Sequence, residues 1–207
     1  MSKEIEKRFF NFDRLNIEKI LKELGAVKKG MYLFKVVQFK GTFPIITLRL
    51  RDEGYRITFT IKEKTDDYDL ENEVIVNNFN EMRTMMNKLG IKEKYSNEKI
   101  REIYNIHDAE LIFDHWPGLP GYIEIEAPTE DKLIELANKF ELDMNEKPGG
   151  FAKMYQELYQ PKIDDIAKLN ISFDNINETV KPLVSKNIDL FEKIVEGQKK
   201  LLEKVNK

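Results

Sequence analysis

The sequence predicts an α+β fold, a mostly antiparallel sheet or barrel carrying helices on its outside and ending in a helical tail. Three observations predict it. β-rich stretches outnumber helical ones and are joined by short polar turns such as Asp52-Glu53-Gly54. Five strands carry charge at every second position with apolar residues between, which is the period of an extended chain. From Lys162 onward that alternation vanishes and apolar residues recur at helical intervals instead.

In chain order, the strand expectations are residues 5–10, 32–39, 45–51, 55–64, 70–76, 100–106, 111–113 and 122–125. The first helix is expected over 16–24, with Ile17, Ile20, Leu21 and Leu24 on one face and Gly25 as its stop. The second runs from Asn80 to Leu89 and ends at Gly90. The third runs from Thr129 to Phe140, with Thr129 as cap and Asp131 in its first turn. In the tail, Ile176, Val180, Val184, Ile188, Phe191, Val195 and Leu202 form an apolar stripe, and Pro182 marks a kink or a helix start. Two units follow, residues 1–160 and a helical extension over 161–207. The extension is expected to be dispensable for chemistry, and its last helix is a candidate surface for pairing two copies.

Composition excludes several classes. Basic and acidic residues number 34 and 37, a net charge of −3, so no extended nucleic-acid groove is expected and anion binding must come from local clustering. Without cysteine there are no disulfides, zinc–thiolate sites or thiol nucleophiles. With only His107 and His115, a metal would need oxygen ligands, which favours Mg²⁺, Mn²⁺ or Ca²⁺. No apolar run reaches the length of a membrane span and the N-terminal segment is charged from Lys3, so a cytoplasmic location away from membranes is expected. Lys40-Gly41-Thr42 lacks the glycine spacing of a phosphate loop and reads as a turn. His107, His115 and Trp116 read as structural.

The charged positions carry the chemistry. Glu4, Glu6 and Arg8 share one face of their strand. Arg49 and Arg51 share another, as do Lys62 and Lys64 with Thr58 and Thr60, Glu71 with Glu73, Lys99 with Arg101, and Glu124 with Glu126. Such faces can look at water and carry weak cross-strand ion pairs. The alternate positions (Ile5, Leu48, Leu50, Ile57, Phe59, Ile61, Ile123, Ile125) must be covered by something, however. If helices cover them, the charged face turns inward and encloses a lumen of both signs. A triphosphate with divalent ions suits such a space, because basic side chains fork onto its oxygens and acidic ones hold the bridging metal.

The ordered set resembles the CYTH superfamily, the triphosphate tunnel metalloenzymes, which include class IV adenylyl cyclases and thiamine triphosphatases. The opening Glu-x-Glu-x-Lys signature stands as Glu4-Ile5-Glu6-Lys7-Arg8, with arginine at its last position. Arg49-x-Arg51, Thr60-x-Lys62, Glu71-x-Glu73, Lys99-x-Arg101, Asp114 and Glu124-x-Glu126 follow in order, the last within Gly118-Leu119-Pro120-Gly121-Tyr122-Ile123-Glu124-Ile125-Glu126. The resemblance covers about residues 1–160. It implies a closed eight-stranded antiparallel barrel that binds triphosphate with Mg²⁺ or Mn²⁺. It also implies Glu4, Glu6, Glu124 and Glu126 as metal ligands with Glu73 and Asp114 as helpers, and Arg8, Arg49, Arg51, Lys62, Lys99 and Arg101 as phosphate ligands. Lys64 continues the face of Lys62. Glu4, Glu6, Glu126 and Lys62 are the residues expected to carry catalysis. Three functions fit: a metal-dependent hydrolase of inorganic, nucleoside or thiamine triphosphate; a cyclase making cyclic AMP from ATP; and a non-catalytic module that captures a triphosphate ligand.

Overall fold

The computed structural model of the 207-residue chain describes residues 5–40, 46–64, 69–147 and 149–205. Glu4, Gly41 and Thr42 lie outside the described residues, and so does the side chain of Lys64.

Eight strands form one antiparallel sheet: β1 (Ile5–Phe9), β2 (Val27–Lys40), β3 (Ile46–Asp52), β4 (Ile57–Lys64), β5 (Asp69–Ile75), β6 (Glu93–Ile106), β7 (Ala109–His115) and β8 (Tyr122–Ala127). Their order is β1-β8-β7-β6-β2-β3-β4-β5. Among the described residues no ladder joins β1 to β5, which corrects the expectation of a closed barrel to a sheet with two edges. Both edges are short and carry charge, Lys7 on β1 and Glu71 and Glu73 on β5, a common way of keeping an edge from recruiting another strand. β2 and β6 exceed their expected lengths because they pair with each other over most of their course, across a register shift between Lys28 and Gly30.

The apolar face is covered as its alternation requires. Helices α1 (Arg14–Glu23) and α3 (Glu130–Lys139) bury Ile17, Leu21, Leu133, Leu136 and Phe140 against Phe9, Leu111, Phe113, Ile123 and Ile125. Helix α2 (Phe79–Lys88) seals Val37, Phe39, Leu48, Leu50 and Phe59 with Met86. Each of the three begins on a side chain that accepts its free N–H groups: Asp13, Asn78 and Thr129. At Gly25, φ is +67°, the left-handed conformation that ends α1 as expected.

Helix α4 (Phe151–Tyr159), which the sequence reading omits, packs with α5 (Ile163–Ile166), α6 (Ile176–Thr179) and α7 (Ile188–Leu202) in a third apolar cluster around Leu119. The segment between α5 and α6 also adds an isolated bridge, Asn97 to Ile171, along β6.

One charge is buried on the helix-covered face. Glu102 of β6, 3% exposed, accepts hydrogen bonds from Arg14 (2.7 Å) and Tyr104 (2.8 Å) and pairs with Lys28 (2.6 Å), tying α1 to the sheet. Burial opposes its ionisation, but hydrogen bonds from Lys28 and Arg14 win and lower it to about 2 from an ordinary 4.5. A carboxylate depressed in the folded state stabilises fully above its unfolded pKa and loses that contribution as pH falls through the folded one. Allowing for the partial exposure of both cations, its worth is about 2 kcal/mol. Glu102→Gln is therefore expected to cost about that much at neutral pH and little at pH ~2. Denaturant titrations of both proteins across this range check it; a difference that stays constant with pH would refute the assignment.

Candidate active site

Strand register brings the predicted charges onto one face in transverse rows. Cα pairings align Glu6 with Glu126 and Glu126 with Glu110, then Arg8 with Glu124, then Tyr122 with Asp114 and Asp114 with Arg101. Farther across, Arg49 pairs with Thr60 and Thr60 with Glu73, and Lys62 pairs with Glu71. The predicted residues on described strands therefore share a face. Although α1, α2 and α3 pack on the opposite side, Thr58, Thr60, Asp114 and Glu124 are each at most 1% exposed. The sheet curls around its own charged face, and among the described residues its hydrogen-bond ladder does not close.

One end of this face is acidic. Carboxylate oxygens of Glu6, Glu124 and Glu126 lie within 4.8 Å of one another. Glutamates directly opposite one another repel, and Glu126 has one on each side. Burial pushes Glu126 up to about 7, and Glu124 and Glu110 add to the rise against the pull of Arg101. An all-oxygen donor set with excess negative charge fits a hard divalent cation. Glu110 is missing from the sequence-based set: its spacing from Asp114 puts both on one strand face, but only register sets it opposite Glu126.

Between the poles stands an ion cluster centred on Arg101. Its Nε and Nη2 donate to Asp114 at 2.8 and 2.7 Å, Nη2 also reaches Glu124 at 2.6 Å, and Nη1 lies 3.5 Å from Glu126. Lys99 donates to Asp114 at 2.8 Å and Arg8 to Glu124 at 2.6 Å. Burial opposes the ionisation of Asp114, yet Arg101 and Lys99 hold it well below the usual carboxylate range. Asp114 also accepts from the Tyr122 hydroxyl at 3.1 Å, so both of its oxygens are hydrogen-bonded, and it stands outside the cluster of three glutamates. Glu73 is likewise elsewhere, accepting from Thr60 at 3.1 Å and facing Arg56 at 3.9 Å.

The other end is cationic. Arg49 and Arg51 stand two apart on β3, and burial followed by the neighbouring Arg51 lowers the pKa of Arg49. Arg51 donates to the buried Glu53 at 3.0 Å, and Lys62 pairs with Glu71 at 2.9 Å. Arg49 Nε and Thr58 Oγ1 are buried without a hydrogen-bond partner. A buried donor left unmade is costly, and two adjacent guanidiniums with spare donor capacity fit the oxygens of an anion. At the rim, Tyr55 and Tyr32 pair with ring centroids 4.9 Å apart, Tyr32 standing across the strand from Arg101.

The histidines and the tryptophan occupy structural positions, as expected. His107 sits in the β6–β7 turn at φ 55°, and His115 packs against Gly121. Trp116 stacks on Phe151 at 5.2 Å and donates to the Tyr122 hydroxyl at 2.8 Å.

The family model of the CYTH domain matches residues 45–169. A Methanocaldococcus jannaschii protein named a putative adenylate cyclase is 35% identical over 133 residues, which are 62% of this chain and 65% of that protein, so the chain spans less than two thirds of that relative. Among solved structures, a Pyrococcus horikoshii OT3 protein superposes with TM-score 0.61 at 22% identity, covering 73% of this chain and 99% of that one. A structure described as a putative adenylate cyclase from Vibrio parahaemolyticus does so with TM-score 0.61 at 14% identity, covering 74% and 97%. At these identities the two structures establish a shared fold.

Proposed function

Because this chain belongs to the CYTH domain family, we propose that it is a divalent-metal-dependent hydrolase of a triphosphate bound along the charged face of its sheet. One observation carries the reading. Half-buried Arg49, whose Nε lacks a hydrogen-bond partner, stands with Arg51 on the same face as three crowded glutamates, a pattern that a polyanion and a cation would neutralise together.

Glu6, Glu124 and Glu126 would hold Mg²⁺ or Mn²⁺, with Glu4 proposed from its position two residues before Glu6. When bound, the ion would neutralise charge on the phosphate oxygens and favour attack by water. Arg49, Arg51 and Lys62 would grip the terminal phosphates, with Lys64 extending the same strand. Arg8, Lys99 and Arg101, expected from the sequence as phosphate ligands, hydrogen-bond Glu124 and Asp114, so their proposed role is to fix the acidic side chains between the two poles. Holding the non-bridging oxygens from several strands leaves the terminal phosphorus open to attack in line with the departing oxygen. All of these side chains lie within residues 1–160, and the protein would work in the cytoplasm.

The second reading, a cyclase, is favoured by the Tyr32–Tyr55 pair, since an aromatic pair beside a phosphate site can stack a nucleobase. Incubation with inorganic triphosphate, ATP and thiamine triphosphate, each with Mg²⁺ or Mn²⁺, separates the readings. Orthophosphate with the matching diphosphate is expected; cyclic AMP with pyrophosphate would establish the cyclase. Tight binding without turnover would establish a capture module, and turnover that survives chelation of divalent ions would sink the metal-dependent proposal.

A further inference from the structure

The turn between β7 and β8, residues 116–121, lies between Asp114 and Tyr122, and side chains of α4 and α7 hydrogen-bond five of its backbone groups. Gln198 of α7, 4% exposed, donates from Nε2 to the carbonyl oxygens of Trp116 (2.8 Å) and Leu119 (3.0 Å), while its Oε1 accepts from Gly118 N–H at 2.8 Å. From α4, the Tyr159 hydroxyl donates to the Gly118 carbonyl at 2.6 Å and the Tyr155 hydroxyl to the Pro117 carbonyl. Two donors and one acceptor on one side-chain plane is the pattern of a primary amide. A glutamate would set oxygen against two carbonyls.

The approach is close. At Gly118, φ is +69°, and a Cβ there would stand 2.7 Å from the Phe191 ring of α7 and 3.3 Å from Ile176. The turn and the tail are therefore built against each other, and their bonds lead inward. Trp116 donates to Tyr122, Tyr122 donates to Asp114, and Asp114 holds Lys99 and Arg101.

We propose that Gln198 is a positioning residue for the ion cluster, acting through Trp116 and Tyr122, so that the tail is part of the functional machinery and not a dispensable appendage. This rests on the reading of the charged face as a triphosphate site.

The test is a double-mutant cycle with two readouts. Gln198→Met keeps side-chain length and removes all three hydrogen bonds; Tyr122→Phe cuts the relay beyond Trp116. Titrating the full-length proteins with inorganic triphosphate and Mn²⁺ is expected to show binding about 10-fold weaker in Gln198→Met, the usual scale for a group that orients a ligand from behind. In the Tyr122→Phe background, Gln198→Met should change that affinity less than about twofold while lowering the melting temperature as much as before. A lower melting temperature with unchanged affinity, or an affinity loss undiminished by Tyr122→Phe, would overturn the proposal. The second readout needs no ligand. Trp116 is the sole tryptophan, so its indole N–H gives one NMR signal, expected to shift and to exchange faster in both single variants. An indole signal unmoved by Gln198→Met would overturn the proposal as well. Failure of the wild-type protein to bind triphosphate would refute the functional reading, and the indole signal would still decide whether Gln198 sets the relay.

Discussion

Replacing Arg101 by leucine is expected to cost about 3–5 kcal/mol of stability, the scale for breaking a buried ion network by removing one partner. Arg101 contacts Asp114, Glu124 and Glu126 together, and it lies with its guanidinium 5.4 Å from the Phe34 ring centroid. Without it, Asp114 and Glu124, whose side chains are 0% and 2% exposed, keep Lys99 and Arg8 as their cations. Two carboxylates would then share a space with too little positive charge, and protonating them or admitting water costs free energy either way. For a chain of this size the loss corresponds to a fall in melting temperature of roughly 10 °C. Adding Asp114→Asn to Arg101→Leu should recover part of it, since coupled groups are not additive. Thermal and urea melts decide; a loss below about 1 kcal/mol would mean that the cluster relaxes freely into solvent.

Glu126→Gln should separate activity from stability. It is expected to lower metal-dependent turnover by on the order of 100-fold or more, because even residues that merely orient metal ligands are worth about 10–100-fold. The folded protein should be as stable as the parent or slightly more so. Glu126 faces Glu6 and Glu110 across both neighbouring strands, and burial already opposes its charge. An isosteric amide relieves that repulsion while removing a negative ligand, and such opposed effects mark a group kept for function at some cost to folding. Turnover assays with Mn²⁺ beside melts of the same preparations provide the check. Unchanged turnover would remove Glu126 from the proposed ligand set, and a large loss of stability would show that its charge is held by something other than a bound cation.

Most of the strand and helix content was legible in the sequence because both signals are local. Alternation in Leu48-Arg49-Leu50-Arg51 assigns each side chain to a face wherever the strand lies. Spacing of Ile17 and Leu21 marks the buried side of α1 in the same way. Helix α4 escaped because its short run, residues 151–159, follows a Gly-Gly step and begins without a side-chain cap. The acidic set was legible apart from Glu110, whose weight comes from standing opposite Glu126, a fact of register and not of its own neighbours. Gln198 carries no sequence signal: a lone glutamine in an amphipathic helix ordinarily faces water. Its buried place depends on a turn about 80 residues earlier in the chain.

The sequence by itself determined that one face of the sheet would be charged with both signs, that a metal held there would have to be held by oxygen, and that helices would cover the other face. Period and side-chain type dictate these wherever the strands end up. The tertiary structure alone decided which charges meet, that Asp114 serves Arg101 and Lys99 while Glu6, Glu124 and Glu126 stand together, that no ladder joins β1 to β5 among the described residues, and that the tail grips the turn before β8. Those are long-range pairings, fixed by strand register and close packing between segments far apart in the chain.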